Sequence, residues 1–217
     1  TRTSVAAYHG YNFLLARENL TDHLPIEHRK DKTRHNLLKI RAKKVISATG
    51  SIERPIVFGN NDTPGVFLSA AAKEYIKVYG VLIGKKPLIF TNNDSAYETA
   101  IEFKKNGVEP LVLDTREDCN SELINEAKDL KIDIRFSHAV LAANGYKKVK
   151  SATIGKLNNN KTDFVSTEII DCDCICVSGF WTPTVHLASQ SGNKLRFNDE
   201  IDAFVPDKSK QNENSIG

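Results

Sequence analysis

The stretch that decides the fold covers residues 86–114 and reads KPLIFTNNDSAYETAIEFKKNGVEPLVLD. Its first apolar run, residues 88–90, is followed by a polar cluster, a pattern typical of a buried parallel strand. Apolar side chains then recur at three- and four-residue spacing, which predicts an amphipathic helix. An Asn-Gly pair ends that helix, and residues 108–113 form a second apolar run that stops at Asp114. The stretch therefore predicts half of a Rossmann unit.

The turn after the first strand differs from the phosphate-binding turn of most dinucleotide sites. Such turns read G-x-G-x-x-G/A, and an acidic residue about 20 positions further bonds the ribose hydroxyl. Thr91 and Asn93 occupy the first two glycine positions, whereas Ala96 keeps the third, where the helix packs on the strand. If this turn binds a nucleotide, Asn92, Asn93 and Asp114 are its predicted contacts. A βαβ unit without a ligand at this turn is the alternative.

A second informative stretch covers residues 44–55 and reads KVISATGSIERP. Val45 and Ile46 lead a predicted buried strand that ends at Thr49 and Gly50. In open α/β sheets, nucleotides lie at the carboxyl ends of strands, and glycine lets a cofactor pass close to the backbone. Thr49 and Gly50 are therefore the predicted contacts of a bound dinucleotide. A strand followed by a glycine turn without a ligand is the alternative.

The remaining patterns predict an α/β protein with a Rossmann-type, three-layer central domain, in which a parallel sheet is joined by an antiparallel β ribbon. We expect a hairpin in residues 1–24, a half-exposed strand from residue 35, and helices over residues 66–79 and from residue 121. The ribbon and the last buried strand are predicted over residues 139–143, 147–156, 164–170 and 172–177.

Composition excludes several functions. The chain has 217 residues and a formal charge of +3, with 30 basic and 27 acidic residues interleaved, so we expect no nucleic-acid surface. No apolar run reaches the length of a membrane span and no signal peptide opens the chain, which favours a cytoplasmic protein. The chain starts at Thr1 and contains no methionine, so we expect a piece of a longer polypeptide.

The sequence predicts neither catalytic residues nor a metal site. The six histidines are scattered along the chain, without the partners that a general base requires. Cys172, Cys174 and Cys176 alternate, which predicts that all three lie on one face of a strand. Their spacing is not that of a zinc site, so we expect buried, reduced thiols.

The order of these patterns resembles the two-dinucleotide-domain flavoproteins related to disulfide reductases. Residues 48–50, Ala-Thr-Gly, and residues 179–183, Gly-Phe-Trp-Thr-Pro, match the two chain crossings between the domains of that family. The resemblance implies three segments. Residues 1–57 are part of a first, FAD-like nucleotide domain with a β ribbon, residues 58–170 are a second Rossmann-like domain, and residues 171–217 return to the first domain.

A closer resemblance is to the α subunits of heterotetrameric sarcosine oxidases and their opine-oxidase relatives. It rests on the strings ATGSIERPIVFGNNDTPGV, FTNNDSAYETA and VSGFWTPTVHLASQSGNKLRFN, and it extends over nearly the whole chain. In that family Thr-Asn-Asn-Asp-Ser-Ala replaces the second glycine fingerprint. The resemblance implies a non-covalent NAD on this subunit, FAD on a β subunit where the amine is oxidised, and FMN between subunits.

Two features of that family are not in this sequence: the first Rossmann strand with its glycine fingerprint, expected upstream, and the folate-binding domain, expected downstream. Three functions stay open. The chain is the nucleotide-binding core of a sarcosine oxidase α-like subunit, inactive alone, or an NAD(P)H-dependent FAD oxidoreductase of the disulfide-reductase class, or a non-catalytic Rossmann scaffold. The second of these requires a working glycine fingerprint and a redox Cys-x-x-Cys or flavin face, and the sequence has neither.

Overall fold

The computed structural model of the chain describes residues 2–207 and the backbone of residues 214–215. The chain divides into two compact units. Unit 1 comprises residues 1–52 and 182–217, and unit 2 comprises residues 53–181. The domain limits predicted at residues 57 and 170 stay a prediction. No helix within the described residues is long and apolar enough to cross a membrane.

Short strands and short helices make up the described residues. The strands before the first helix are β1 (Thr3–His9), β2 (Phe13–Asn19), β3 (His35–Arg41), β4 (Ile46–Ser47), β5 (Ser51–Glu53) and β6 (Val66–Leu68). The next strands are β7 (Pro87–Thr91), β8 (Leu111–Asp114), β9 (Asp133–Phe136), β10 (His138–Asn144), β11 (Ser151–Leu157) and β12 (Phe164–Asp171). The last are β13 (Cys174–Ser178), β14 (Trp181–Pro183), β15 (Leu195–Asn198), β16 (Ala203–Pro206) and β17 (Asn214–Ser215). The helices are α1 (Ser69–Lys77), α2 (Ser95–Lys105), α3 (Glu122–Asp129) and α4 (His186–Gln190), and a 3-10 turn spans Ile26–His28.

Unit 1 consists of small sheets. β1, β2 and β3 form an antiparallel sheet, which confirms the predicted hairpin and the strand after it. β15 pairs with β16, and β4 pairs in parallel with β17. The prediction of a buried strand at Val45 and Ile46 is wrong, because β4 has two residues and Ile46 is 63% exposed. Among the described residues only the two-residue β17 pairs with β4, which leaves the strand short.

Unit 2 contains the predicted Rossmann half. Its parallel sheet has the strand order β6-β13-β7-β8-β9, so β7, α2 and β8 form the expected strand, helix and neighbouring strand. Leu88, Ile89 and Phe90 of β7 are at most 2% exposed, as an apolar run in a parallel strand requires. The order reverses between β7 and β13, and the carboxyl ends of these two strands therefore define the crevice where nucleotides bind in this class of sheet.

Three layers build the core of unit 2, which confirms the predicted fold class. Ile89 and Val112 face a cluster that includes the apolar sides of α1, α2 and α3. Leu88, Phe90 and Leu113, which alternate with them, face a second cluster formed with the antiparallel ribbon β10-β11-β12. The period of two along each strand therefore places helices on one face of the sheet and the ribbon on the other.

Two local predictions in unit 2 are wrong. Residues 66–68 are not the first turn of a helix but form β6, which pairs with β13, and the helix begins at Ser69. Cys172 does not share a face with Cys174 and Cys176. It packs in the cluster on the ribbon side, whereas the other two pack on the helix side. β13 starts only at Cys174, so Cys172 lies outside the strand and does not follow its alternation of faces. The side chain of Asp173, between the two cysteines, accepts the backbone N–H groups of residues 85 and 86.

Candidate functional site

The turn at Gly50 in unit 1 is open. Gly50 has a φ of 66°, in the left-handed region that favours glycine, and a Cβ added there would meet no atom of the described residues within 4 Å. The Thr49 hydroxyl donates to the carbonyl oxygen of Thr184 at 2.6 Å, and the Thr184 N–H donates to the carbonyl oxygen of Gly50 at 2.9 Å. Both Thr49 and Gly50 are exposed. The backbone is therefore fixed on one side and free for a close approach on the other.

The turn after β7 in unit 2 is filled by its own side chains. Thr91 is fully buried, and its hydroxyl accepts the Asn93 N–H at 3.0 Å. The same hydroxyl lies within donating distance of the carbonyl oxygens of Asn93, at 2.9 Å, and Ser178, at 3.2 Å. Thr91 therefore closes the position where glycine would leave room for a pyrophosphate.

Asn93 bridges the crevice between β7 and β13. Its side-chain N–H groups donate to the carbonyl oxygen of Ser178 at 3.2 Å and to the Ser178 hydroxyl at 3.0 Å. Its side-chain oxygen accepts the backbone N–H of Ser95 at 3.1 Å and the Ser95 hydroxyl at 2.6 Å. Asn93 is only 8% exposed, and all four of these bonds stay within the protein. Asn92, in contrast, is half-buried and uses its side-chain oxygen to accept from Asn93 at 3.2 Å.

Trp181 covers the start of α2. Its indole N–H donates to the Ser95 hydroxyl at 2.9 Å, and that hydroxyl in turn donates to Asn93. In dinucleotide sites the helix N-terminus binds the pyrophosphate through its free N–H groups and its dipole. Here the Ser95 N–H already donates to a side chain, and an indole ring lies against the same residue.

Asp114, the acid at the end of β8, is saturated by neighbouring groups. The carboxylate is fully buried and accepts from the Tyr97 hydroxyl at 2.8 Å. Arg116 donates to it through the backbone N–H at 3.0 Å, Nε at 3.0 Å and Nη2 at 2.7 Å. Arg116 Nη2 also lies 2.7 Å from Asp94. A ribose hydroxyl would have to displace Tyr97 or Arg116 to reach this carboxylate.

The pKa shifts follow from that network. Burial, and then the Asp114 carboxylate, raises the pKa of Tyr97, so the phenol stays a hydrogen-bond donor. Burial alone would lower the pKa of Arg116, but its hydrogen bonds to Asp114 and Asp94 outweigh that effect and raise it. The network is therefore a stable ion pair with a neutral donor beside it.

The Glu53 side chain bonds Ser178, which accepts from Asn93 in the turn after β7. The side chain is 5% exposed and accepts the Ala70 N–H, at the start of α1, at 2.8 Å. Burial raises the pKa of Glu53, and the bonds from Ser178 and Ala70 oppose that shift. A buried carboxylate therefore supports the bridge between β7 and β13.

Cys172, Cys174 and Cys176 are free thiols, as predicted, and Cys119 is also a free thiol. Cys119 is half-buried and the other three are buried. Burial raises the pKa of Cys172 to about 12, and a hydrogen bond with Cys174, followed by burial, raises the pKa of Cys176, so neither is a reactive thiolate at neutral pH. Within residues 2–207, no group of three His, Cys, Asp or Glu side chains lies close enough to hold a metal ion.

Sequence reasoning missed the partners that fill the second turn. Arg116 follows Asp114 by two residues, and this spacing is the one local signal that the acid is already engaged. Ser178 and Trp181 are more than 80 residues from the turn, and no local pattern connects them to it. The predicted contacts Thr49 and Gly50 lie together in unit 1, and Asn92, Asn93 and Asp114 lie in unit 2.

The fold and the strand-end turns define a class: the chain is a Rossmann-type α/β protein with the fold of disulfide-reductase-like flavoproteins. Solved structures of this fold include thioredoxin reductase from T. acidophilum, with a TM-score of 0.67, 15% identity, and coverage of 99% of this chain and 64% of that chain. L-Proline dehydrogenase from P. horikoshii matches with a TM-score of 0.61 and 23% identity, over 99% of this chain and 35% of that chain.

In sequence, the chain is similar to the alpha subunit of sarcosine oxidase. It is 32% identical over 218 residues to the subunit from Corynebacterium sp. strain P-1, which covers all of this chain and 22% of that relative. It is also 32% identical over 184 residues to the subunit from Rhizobium meliloti strain 1021, which covers 84% of this chain and 17% of that relative. No family model matches. The predicted resemblance to this subunit is confirmed, and the chain spans about a fifth of these relatives.

Proposed function

We propose that this chain is the nucleotide-binding core of an α-like subunit in an amine-oxidising flavoenzyme of the sarcosine oxidase type. The observation that carries the proposal is the similarity to sarcosine oxidase subunit alpha over the whole chain. The parent enzyme would oxidise the CH–NH bond of sarcosine or a similar secondary amine. In this proposal the amine is oxidised on another subunit of the assembly.

In this proposal the subunit holds NAD at the turn formed by Thr49 and Gly50. The exposed backbone, the left-handed φ of Gly50 and the open space beside it fit the close approach of a dinucleotide. Asn92, Asn93 and Asp114 would contact a nucleotide only if the bonds from Asn93 to Ser178 and from Arg116 to Asp114 opened. We therefore assign the bound dinucleotide to the first turn.

The remaining cofactors and partners are part of the same proposal. A β-type subunit would carry the FAD at which the amine is oxidised, and FMN would lie between subunits. The name of the relatives, a subunit alpha, supports a hetero-oligomer. The chain described here would supply the nucleotide site and a rigid Rossmann framework to that assembly.

Native mass spectrometry of the full-length parent protein tests the proposal, together with an assay of sarcosine oxidation. We expect bound NAD, a copurifying flavin-bearing subunit and amine-dependent reduction of oxygen. FAD on a lone chain would favour the reductase instead. A chain without any nucleotide that still binds a second subunit would favour a non-catalytic scaffold.

A further inference from the structure

A lysine-rich groove lies at the end of unit 2 where β7 and β13 begin. One hollow of about 390 Å³ is lined by Lys85, Lys86, Lys148 and Lys150, together with Asp171, Cys172 and Asp173. A second hollow of about 440 Å³ shares Lys148 and Lys150 and adds Tyr146 and Lys147. We name the five lysines and these two hollows the lysine groove. All five lysines are exposed.

The loop that carries three of these lysines is held in place by the core. Val149 is 1% exposed, and its N–H donates to the carbonyl oxygen of Pro64 at 2.9 Å. The Lys150 N–H donates to the carbonyl oxygen of Asn144 at 2.8 Å. Gly145 has a φ of 150°, and a Cβ there would lie 2.0 Å from the Lys148 carbonyl oxygen. The backbone therefore presents the lysines in a fixed arrangement, which lowers the entropy cost of binding.

The positive charge of the groove is weakly balanced. Asp173 is occupied by the backbone N–H groups of Lys85 and Lys86, both at 2.8 Å. Asp171 lies 3.8 Å from the Lys86 ammonium, and both side chains are largely exposed, so this pair contributes little. No aspartate or glutamate occurs in the sequence between residues 133 and 163, the segment that supplies the other three lysines. The groove therefore carries a net positive charge.

We propose that the lysine groove docks an acidic segment of a partner protein in the hetero-oligomer. This inference rests on the proposed function, which requires a partner subunit. An extended chain can place carboxylates on lysines spread over two hollows, whereas a compact phosphate bound in the first hollow would also approach Asp171 and Asp173. Tyr146, 92% exposed beside Lys147, is the kind of side chain that protein interfaces bury.

The experiment measures the binding of a fluorescent decaglutamate peptide to the full-length parent protein by anisotropy, at low and high salt. We expect binding that weakens as salt rises, and about tenfold weaker binding in the variant K148E/K150E. The matched control K156E/K161E reverses two exposed lysines on the same ribbon, outside the groove, and should bind the peptide like the wild type.

Three results would overturn the inference: no peptide binding at low salt, equal weakening in the groove variant and the control, or tripolyphosphate displacing the peptide at lower concentration than a free glutamate peptide does. Copurification separates this inference from the proposed function. We expect K148E/K150E to retain bound NAD but to lose part of the copurifying subunit. Absence of NAD and of any partner from the wild type would instead contradict the proposed function.

Discussion

The turn after β4 and the turn after β7 stand at equivalent places, the carboxyl end of a strand, but they are built in opposite ways. At the first, Gly50 leaves exposed backbone beside open space. At the second, Thr91 and Asn93 are buried, and their polar atoms form hydrogen bonds within unit 2. Turns at equivalent positions after a strand can therefore be filled by side chains of the protein or be left exposed.

The acid after the second strand shows the same contrast. In a dinucleotide site this carboxylate is available to a ribose hydroxyl. Asp114 is fully buried and bonded to Arg116 and Tyr97, so its charge is balanced before any ligand arrives. The bonds of Asp114 with Tyr97 and Arg116 therefore stabilise the βα framework of unit 2 at the position where a dinucleotide site has its ribose contact.

Removal of the Asp114 charge should have the largest effect. Asp114→Asn leaves Arg116 beside a neutral, buried side chain, and we expect the free energy of unfolding to fall by about 3 kcal/mol. The control Asp133→Asn breaks a pair with Arg135 at 3.7 Å, in which Asp133 is 62% exposed, and should change it by less than about 0.5 kcal/mol. Urea denaturation of the purified variants measures both. Equal losses of unfolding free energy in the two variants would mean that the Asp114–Arg116 ion pair does not stabilise the fold.

Asn93 and Asn92 provide a matched pair for the filled turn. Asn93→Ala removes the side-chain bonds that join Asn93 to Ser178 and Ser95, and we expect a loss of about 2 kcal/mol in the free energy of unfolding. Asn92→Ala removes one acceptor on a half-buried side chain and should cost less than about 0.5 kcal/mol. Neither variant should lower the NAD content measured by native mass spectrometry. A lower content in Asn92→Ala would mean that the second turn does bind the nucleotide.

Alanine substitutions at Gly50 and Gly80 distinguish an effect of backbone strain on stability from an effect on ligand binding. Their φ angles are 66° and 63°, and an added Cβ at either has no neighbour within 4 Å in the described part of the chain, so alanine at either position should cost about 1 kcal/mol of stability. Only Gly50→Ala places a methyl group where the dinucleotide is proposed to pass. We therefore expect NAD occupancy to fall in Gly50→Ala and to stay at the wild-type level in Gly80→Ala. Equal NAD occupancy in both variants would contradict the proposed NAD site at Thr49 and Gly50.

The elements that the sequence predicts well are those whose pattern is local. The strand at residues 88–90 and the helix after it are visible because burial follows the periods of two and 3.6 within a few residues. The sequence pattern predicts a helix where β6 lies, because the pairing partner of β6, β13, lies more than 100 residues further along the chain. The open turn at Gly50 is likewise a local feature, a glycine at a strand end.

The bonding partners of the turn after β7 could not be predicted, because Ser178 and Trp181 are distant from that turn in the sequence. The sequence shows Thr91 and Asn93 at the first two glycine positions, but it does not show which groups these side chains bond. Ser178 and Trp181 reach the turn only because the ribbon returns the chain to β13, beside β7. Cys172 shows the same limit, since Asp173 ends the alternation through bonds to residues 85 and 86.

The smallest expected effect concerns Glu53, which supports the filled turn through Ser178. Because burial raises its pKa, the folded protein binds this proton more tightly than the unfolded chain does. Its contribution to stability should therefore decline as pH rises above the ordinary value of 4.5 toward the raised folded value. Glu53→Gln keeps an acceptor for the Ala70 N–H but cannot ionise, so it should gain stability relative to the wild type over that range.

Urea denaturation of Glu53→Gln and the wild type from pH 4.5 to pH 8 measures the difference between their free energies of unfolding. Titrations of groups that both proteins share cancel in this difference. The control Glu117→Gln, an exposed glutamate in the same unit, should show no such trend. A difference that grows in the opposite direction would mean that the bonds from Ser178 and Ala70 outweigh burial. The charged form of Glu53 would then stabilise the turn after β7 more than the neutral form does.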